Sequence, residues 1–196
     1  MQRSDEDLVA RHLAGDPQAF AELVARHTGR LYNLAYRLTA DQAEAEDIVQ
    51  ESFLRAFQAL PRSQTGRAFK PWLFQIAVNR CRDWARRSRH RPLAFSSLEG
   101  VGLDEHDSPA ESVPGLDPSP LEQVERDELG SALGRAVMAL EEEDRVILTL
   151  RYNEGLSYAE MSQILEAPTG TIGTHLFRAK LRLRKALLGF LGEQPG

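Results

Sequence analysis

Residues 66–91 read GRAFKPWLFQIAVNRCRDWARRSRHR, a glycine-bearing loop followed by a helix that is apolar on one side and basic on the other. Pro71 suits the first turn of that helix, where the N–H it lacks would go unpaired anyway. From Trp72 onward, Leu73, Ile76, Ala77, Cys81, Trp84 and Ala85 recur at helical spacing, which predicts one buried face. The rest of the helix carries Arg80, Arg82, Arg86, Arg87, Arg89 and Arg91 against only Asp83. Arginine neutralises phosphate and releases counterions, and aromatic faces stack on unpaired bases, so the stretch suits nucleic acid. By itself it suits a solvated basic face beside core tryptophans equally well.

Upstream, the chain predicts three more helices. Ser4 with Asp7 reads as a capping pair for a short helix through Leu8, Val9, His12 and Leu13, stopped by Gly15. Asp16-Pro17 opens the next, whose apolar stripe is Phe20, Leu23, Val24, His27, Leu31, Leu34, Ala35 and Leu38. His27 has no evident partner and is expected to pack. Asp41 with Glu44 caps a third helix to about Leu60, with Ala45, Ile48, Val49, Ser52, Phe53, Ala56 and Phe57 facing inward. Asp47, Gln50 and Glu51 fall on its opposite side, and residues 61–69 form a loop holding Arg62 and Arg67.

Downstream, Pro109, Pro114, Pro118 and Pro120 alternate with glycine, serine and acids, and neither helical nor strand period survives. That composition predicts a flexible acidic linker. The chain is therefore expected to be all-α, with a helical domain at 1–92, a linker at 93–127 and a smaller helical domain at 128–196. In the second domain Leu121, Val124, Leu129, Leu133, Val137 and Leu140 form one stripe, and the acids from Glu141 to Asp144 start the next helix. Ser157 with Glu160 makes a capping box, Glu166-Ala167-Pro168 makes a tight break, and Thr169 is the expected cap of a last helix to about Leu191. Helix, short turn, helix is a helix-turn-helix, whose second helix enters the major groove. Ile172 and Leu176 point inward, and Phe177, Leu181 and Leu188 are expected to pack. Arg178, Lys180, Arg182, Arg184 and Lys185 are left to reach phosphates.

Composition narrows the classes further. The net charge of −5 argues against a protein that coats DNA through overall charge, although the basic residues are segregated into two helices. Cys81 is the single cysteine, so no internal disulfide forms, and the five histidines lack metal-ligand spacing with it. No metal and no cofactor is expected. The N-terminal MQRSDEDLVARHLAGD is too acidic for a signal peptide, and no apolar run is long enough to cross a bilayer. A cytoplasmic protein without membrane insertion is expected.

Two blocks carry a family resemblance. LSYAEMSQILEAPTGTIGTHLFRAKLRLRKAL (156–187) resembles region 4 of the extracytoplasmic-function group of sigma-70 factors. AEDIVQESFLRAF (45–57) and FKPWLFQIAVNRCRDWARR (69–87) resemble region 2 of the same group. The resemblance implies a non-enzymatic subunit that binds bacterial core RNA polymerase and promoter DNA and melts the promoter, with an anti-sigma factor as a further partner. It implies that Asp47, Gln50 and Glu51 dock on the polymerase. It implies −10 contacts from Arg62, Arg67, Phe69, Lys70, Asn79, Arg80, Asp83, Arg86 and Arg87, with the loop at 62–69 capturing a flipped base. For the −35 element it implies Thr169, Thr171, Thr174, His175, Arg178, Lys180 and Arg182. Many members carry arginine where this chain has Gly173 and His175. Trp72 and Trp84 are expected to pack rather than stack on bases.

Two other readings compete. A helix-turn-helix repressor or activator acting on closed duplex would leave the basic first domain and the Asp47–Glu51 surface without a task. A metal-dependent nuclease could use Asp47 and Glu51 on one helix face, but no further acid or histidine converges on them in sequence.

Overall fold

Local capping fixes where four of the helices begin. In the computed structural model, which describes residues 3–62, 68–88 and 130–192, helix α1 spans Asp5–Leu13 and Ser4 Oγ accepts from Asp7 N at 3.1 Å. Helix α2, Pro17–Thr39, starts with Asp16 accepting from Gln18 N at 2.9 Å and with Pro17 at its first position. Helix α3, Gln42–Ala59, starts with Asp41 accepting from Glu44 N at 3.1 Å, and the turn Leu60–Arg62 follows. Each cap satisfies an otherwise orphan N–H, worth about 1 kcal/mol. Helix α4 spans Phe69–Ser88 and begins two residues before Pro71. Proline is still tolerated there because the amides of the whole first turn lack intrahelical partners.

In the second half, residues 130–138 are helical (α5), followed by α6, Glu142–Leu148, which continues into a π-helical segment, Thr149–Asn153. Gly155 then turns with φ +63°, a left-handed conformation that glycine adopts without a Cβ clash. Helix α7, Tyr158–Leu165, has the full capping box: Glu160 N donates to Ser157 Oγ at 3.2 Å and Ser157 N donates to Glu160 Oε2 at 2.8 Å. Helix α8, Thr169–Gly192, completes the helix-turn-helix. Thr169 is its first helical residue rather than its cap, since Ile172 N already donates to the Pro168 carbonyl at 3.0 Å. Among the described residues the fold is all-α.

The core of the first half is Leu23, Leu31, Leu34, Ala45, Ile48, Phe53, Leu73 and Ala77, from α2, α3 and α4. That of the second is Leu150, Leu156, Met161, Ile164, Ile172 and Leu176. The two halves are in contact: α4 packs on α7, and α2 on the π-helical segment. The sequence predicts two domains on a flexible linker, and in the structure the described parts of the two halves pack on each other. The contact also explains why α4 has more than one buried face. Phe74, Val78 and Cys81 are covered as well as Leu73 and Ala77, whereas Ile76, Trp84 and Ala85 are only half-buried.

Other apolar expectations change register. In α5 the buried positions are Ala132, Gly134 and Ala136, with Leu133 and Val137 half-buried. In α8 the inward face is Ile172, Leu176 and Ala179, so Phe177, Leu181 and Leu188 do not pack and are 63%, 51% and 60% exposed. Phe57 is half-exposed at the rim of an aromatic cluster with His12 and Phe20, ring centroids 5.1 Å from each. The expected linker at 93–127 lies outside the described residues.

Candidate nucleic-acid interface

Helices α3 and α4 bring four of the sequence-selected residues into one chain of charges. Glu51, on α3, accepts from Arg55 Nη2 at 2.8 Å and from Arg80 Nη2 of α4. Arg80 Nη1 donates to Asp83 Oδ2 at 3.1 Å, and Asp83 in turn accepts from Arg86. Burial alone would push the Glu51 carboxyl up, but hydrogen bonding from Arg55 and the charge of Arg80 hold it below its ordinary value. The Arg86 hydrogen bond likewise holds Asp83 low. Arg80 is therefore fixed between two carboxylates, its Nε buried without a hydrogen-bond partner. Asp47 and Gln50 stand exposed beside Glu51, and Asn79 and Arg87 are exposed on α4.

At the other end of α4 the outcome is different. Phe69 is 2% exposed, its ring 5.8 Å from His27 and 6.1 Å from Trp72, so it is a core side chain here and not a surface contact. Trp72 packs edge-on against that ring, as its expected packing role requires. Lys70 lies over the Phe74 ring and 4.0 Å from Glu160 of α7, and burial together with the neighbouring Arg30 depresses its pKa. The Arg62 and Arg67 side chains lie outside the described residues.

Beneath this surface, His27 has a partner that the sequence did not reveal. Its Nε2 is 2.7 Å from Asp5 Oδ2, and Arg26 reaches the other Asp5 oxygen at 2.7 Å. Burial lowers the histidine pKa despite the carboxylate, favouring a neutral ring that donates through Nε2. The unpartnered Nδ1 is then a buried acceptor, not a buried N–H. Twenty-two residues separate the pair, and no local spacing rule could have found it.

On α8, a rotation of about 100° per residue places Thr171, Thr174, His175, Arg178 and Arg182 within one arc of roughly 100°. Four of the five face solvent without an ionic partner among the described residues. Arg182 differs: its Nη1 donates to the buried Asp144 carboxylate at 2.7 Å, tying α8 to α6. Thr169 and Lys180 fall outside the arc, and Lys180 lies 5.9 Å from the centre of the Tyr152 ring. Thr174 Oγ1 donates to the Gly170 carbonyl at 3.1 Å, which leaves its methyl free for an apolar base edge. No group of histidine, cysteine and acidic residues suited to a metal ion occurs among the described residues. No described helix is long and apolar enough to cross a membrane.

Comparison with known proteins matches both halves. A sigma-70 region 2 family model covers residues 23–91, and a sigma-70 region 4 model covers 131–183. The RNA polymerase sigma-H factor of Pseudomonas aeruginosa is 33% identical over 193 residues, 98% of each chain. The ECF RNA polymerase sigma-E factor of Salmonella typhimurium is 33% identical over 179 residues, 91% of this chain and 92% of that one. The fold resembles that of CnrH, solved in complex with the cytosolic domain of CnrY, with a TM-score of 0.66 at 24% identity over 94% of this chain and 97% of that one.

Proposed function

The chain belongs to the extracytoplasmic-function group of the sigma-70 family, and we propose that it binds bacterial core RNA polymerase and directs promoter-specific initiation. It reads the −10 element with residues 1–92 and the −35 element with residues 128–196, joined by the linker at 93–127. The observation that supports this reading is the presence, on one chain, of two separate exposed surfaces that carry basic side chains: the arginine-rich end of α4 and the exposed arc of α8. A repressor of closed duplex needs only the second.

Asp47, Gln50 and Glu51 form the polymerase-docking edge. Asn79, Arg80, Asp83, Arg86 and Arg87, with Arg62, Arg67 and Lys70, hold the opened −10 strand: the asparagine offers hydrogen bonds to a base edge and the arginines neutralise phosphate. Phe69 supports this surface from below. On α8, Thr171, Thr174, His175 and Arg178 meet the −35 duplex, while Arg182 orients the helix through Asp144. The chain supplies no catalytic group, and bond formation belongs to the core enzyme. It acts in the cytoplasm, where that enzyme is. CnrH is solved with a protein partner, CnrY, and an anti-sigma factor is the corresponding expectation for this chain.

Run-off transcription with purified core polymerase on a library of promoter fragments tests the reading. Specific initiation that requires the protein supports it. Duplex binding with no initiation and no saturable binding to core would replace it with the repressor reading.

A further inference from the structure

Helix α4 starts without the side-chain cap that pins α1, α2, α3 and α7. In those helices Ser4, Asp16, Asp41 and Ser157 each accept from a first-turn amide. Ahead of α4 that place falls to Ala68, whose carbonyl accepts from Trp72 N at 3.4 Å and whose side chain has no acceptor. Alanine is a poor cap, so packing fixes the start of this helix. Its first residue, Phe69, is 2% exposed, with its ring 5.8 Å from that of His27. Whatever holds Phe69 also sets where the next residue emerges, and that residue is Lys70, assigned to the −10 strand.

The His27 ring is itself held at one point. Nε2 bonds to Asp5 Oδ2 at 2.7 Å, while Nδ1 is buried without a hydrogen-bond partner. A single bond therefore sets the rotation of the ring. Its acceptor comes from α1, a nine-residue helix with one buried side chain, Leu8. So short a helix does not persist in water by itself. Arg26 of α2 fastens its start, donating from Nη1 to the Arg3 carbonyl at 2.8 Å and to the second Asp5 oxygen at 2.7 Å. A line of contact thus runs from the first residue of α1, through the imidazole of α2, to the first residue of α4.

We propose, on the basis of the sigma-factor reading above, that Asp5 and His27 are positioning residues for capture of the −10 strand. The carboxylate orients the imidazole, and the imidazole holds Phe69 so that the start of α4 meets the DNA. Neither side chain touches the strand. Asp5 moreover has the sign of phosphate, so charge alone makes its loss favourable to binding. Positioning makes the same loss unfavourable, and the two accounts differ in sign.

The test is binding of a labelled single strand, carrying the −10 sequence returned by the run-off screen, to the holoenzyme, with affinity for core measured beside it. Asp5→Ala is expected to weaken capture about tenfold, as for a buried donor that loses its acceptor. Affinity for core should not change, nor should the dependence of capture on salt, because no phosphate contact is lost. His27→Leu should match Asp5→Ala, and the double variant should be no weaker than either single one, since both remove the same bond. Arg26→Ala loosens α1 but spares the bond to His27, and its capture should stay close to that of the parent. Capture that is unchanged or tighter in Asp5→Ala overturns the proposal. An equal loss in Arg26→Ala overturns it too, by assigning the effect to α1 as a whole, and so does a parallel fall in affinity for core, the mark of general destabilisation. A parent that supports no initiation would instead sink the sigma-factor reading. Hydrogen exchange in the free chain then decides the contact: the Trp72 amide should exchange faster in Asp5→Ala than in the parent, and an unchanged rate overturns the positioning role.

Discussion

Arg80 and Glu51, 29 residues apart, are bonded to each other, joining the helix assigned to the −10 strand to the helix assigned to polymerase. Glu51 is about one-third exposed, so solvent screens the pair and its coupling is modest. A double-mutant cycle with Glu51→Gln and Arg80→Met in urea denaturation is expected to give roughly 1 kcal/mol. Arg80→Ala in the polymerase complex is expected to weaken binding to single-stranded −10 DNA of any sequence. It should reduce the slope of log affinity against log salt by about 0.7, one single-strand phosphate contact.

Cys81 should resist thiol reagents in the folded protein. It is 3% exposed, and burial, aided by Glu142, pushes its thiol up to about 12. At pH 8 almost none of the thiol is then ionised, against roughly one in four for an ordinary cysteine. Reaction with Ellman's reagent at pH 8 is expected to be negligible until denaturant exposes the site, after which it proceeds at the rate of a free thiol. Fast reaction of the native protein would mean that the contact covering α4 opens readily.

His27 predicts the acid side of the stability curve. Burial lowers its pKa below the ordinary 6.5, so the unfolded chain binds the proton more readily than the folded one. Stability is therefore expected to fall as pH drops through 6.5, the window in which the unfolded histidine charges. His27→Gln keeps an N–H donor for Asp5 and removes the titration, and it should flatten that limb between pH 7 and pH 5.5. An unchanged limb in chemical denaturation at a series of pH values would assign the acid sensitivity elsewhere.

Gly173 sits inside α8, and a Cβ built there would meet Tyr158 Cε2 at 3.7 Å, an ordinary contact. Gly173→Ala should therefore stabilise the helix by about 0.5–1 kcal/mol. For a chain of this size the melting temperature rises by about 1–4 °C, measurable by circular dichroism. A fall would show that close approach at the helix start, not conformational freedom, is what the glycine provides.

The parts of this structure legible in the sequence are those governed by neighbours within one or two turns. Asp16 with Pro17, Asp41 with Glu44, and Ser157 with Glu160 announce helix starts because both partners lie within three residues. The stripe of α2 was equally plain, since one of its faces is continuously apolar. Helix α8 was not, because it has apolar residues on two sides. Ile172, Leu176 and Ala179 point inward and Phe177, Leu181 and Leu188 outward, and composition does not say which side is covered. The long-range polar pairs were invisible for a different reason. His27 with Asp5, Arg80 with Glu51 and Arg30 with Glu154 bridge 22, 29 and 124 residues, and no local rule links such positions. The candidate surfaces could be placed through the family resemblance, but the pairings that restrain Arg80, Lys70 and Arg182 needed the tertiary structure.

The outward stripe of α8 has a bearing on how the purified protein behaves in a tube. Phe177, Leu181 and Leu188 share a face with Arg184, flanked by Arg178 and Lys185, so every apolar side chain there has a cation within a turn or so. Such gatekeepers keep two copies of the stripe from zipping together while their charges are felt. The Debye length falls from about 10 Å at 0.1 M salt to about 3 Å at 1 M, which removes that protection and leaves the greasy face sticky. Concentrated stocks should therefore cloud on salting up, and clear again on dilution into low salt.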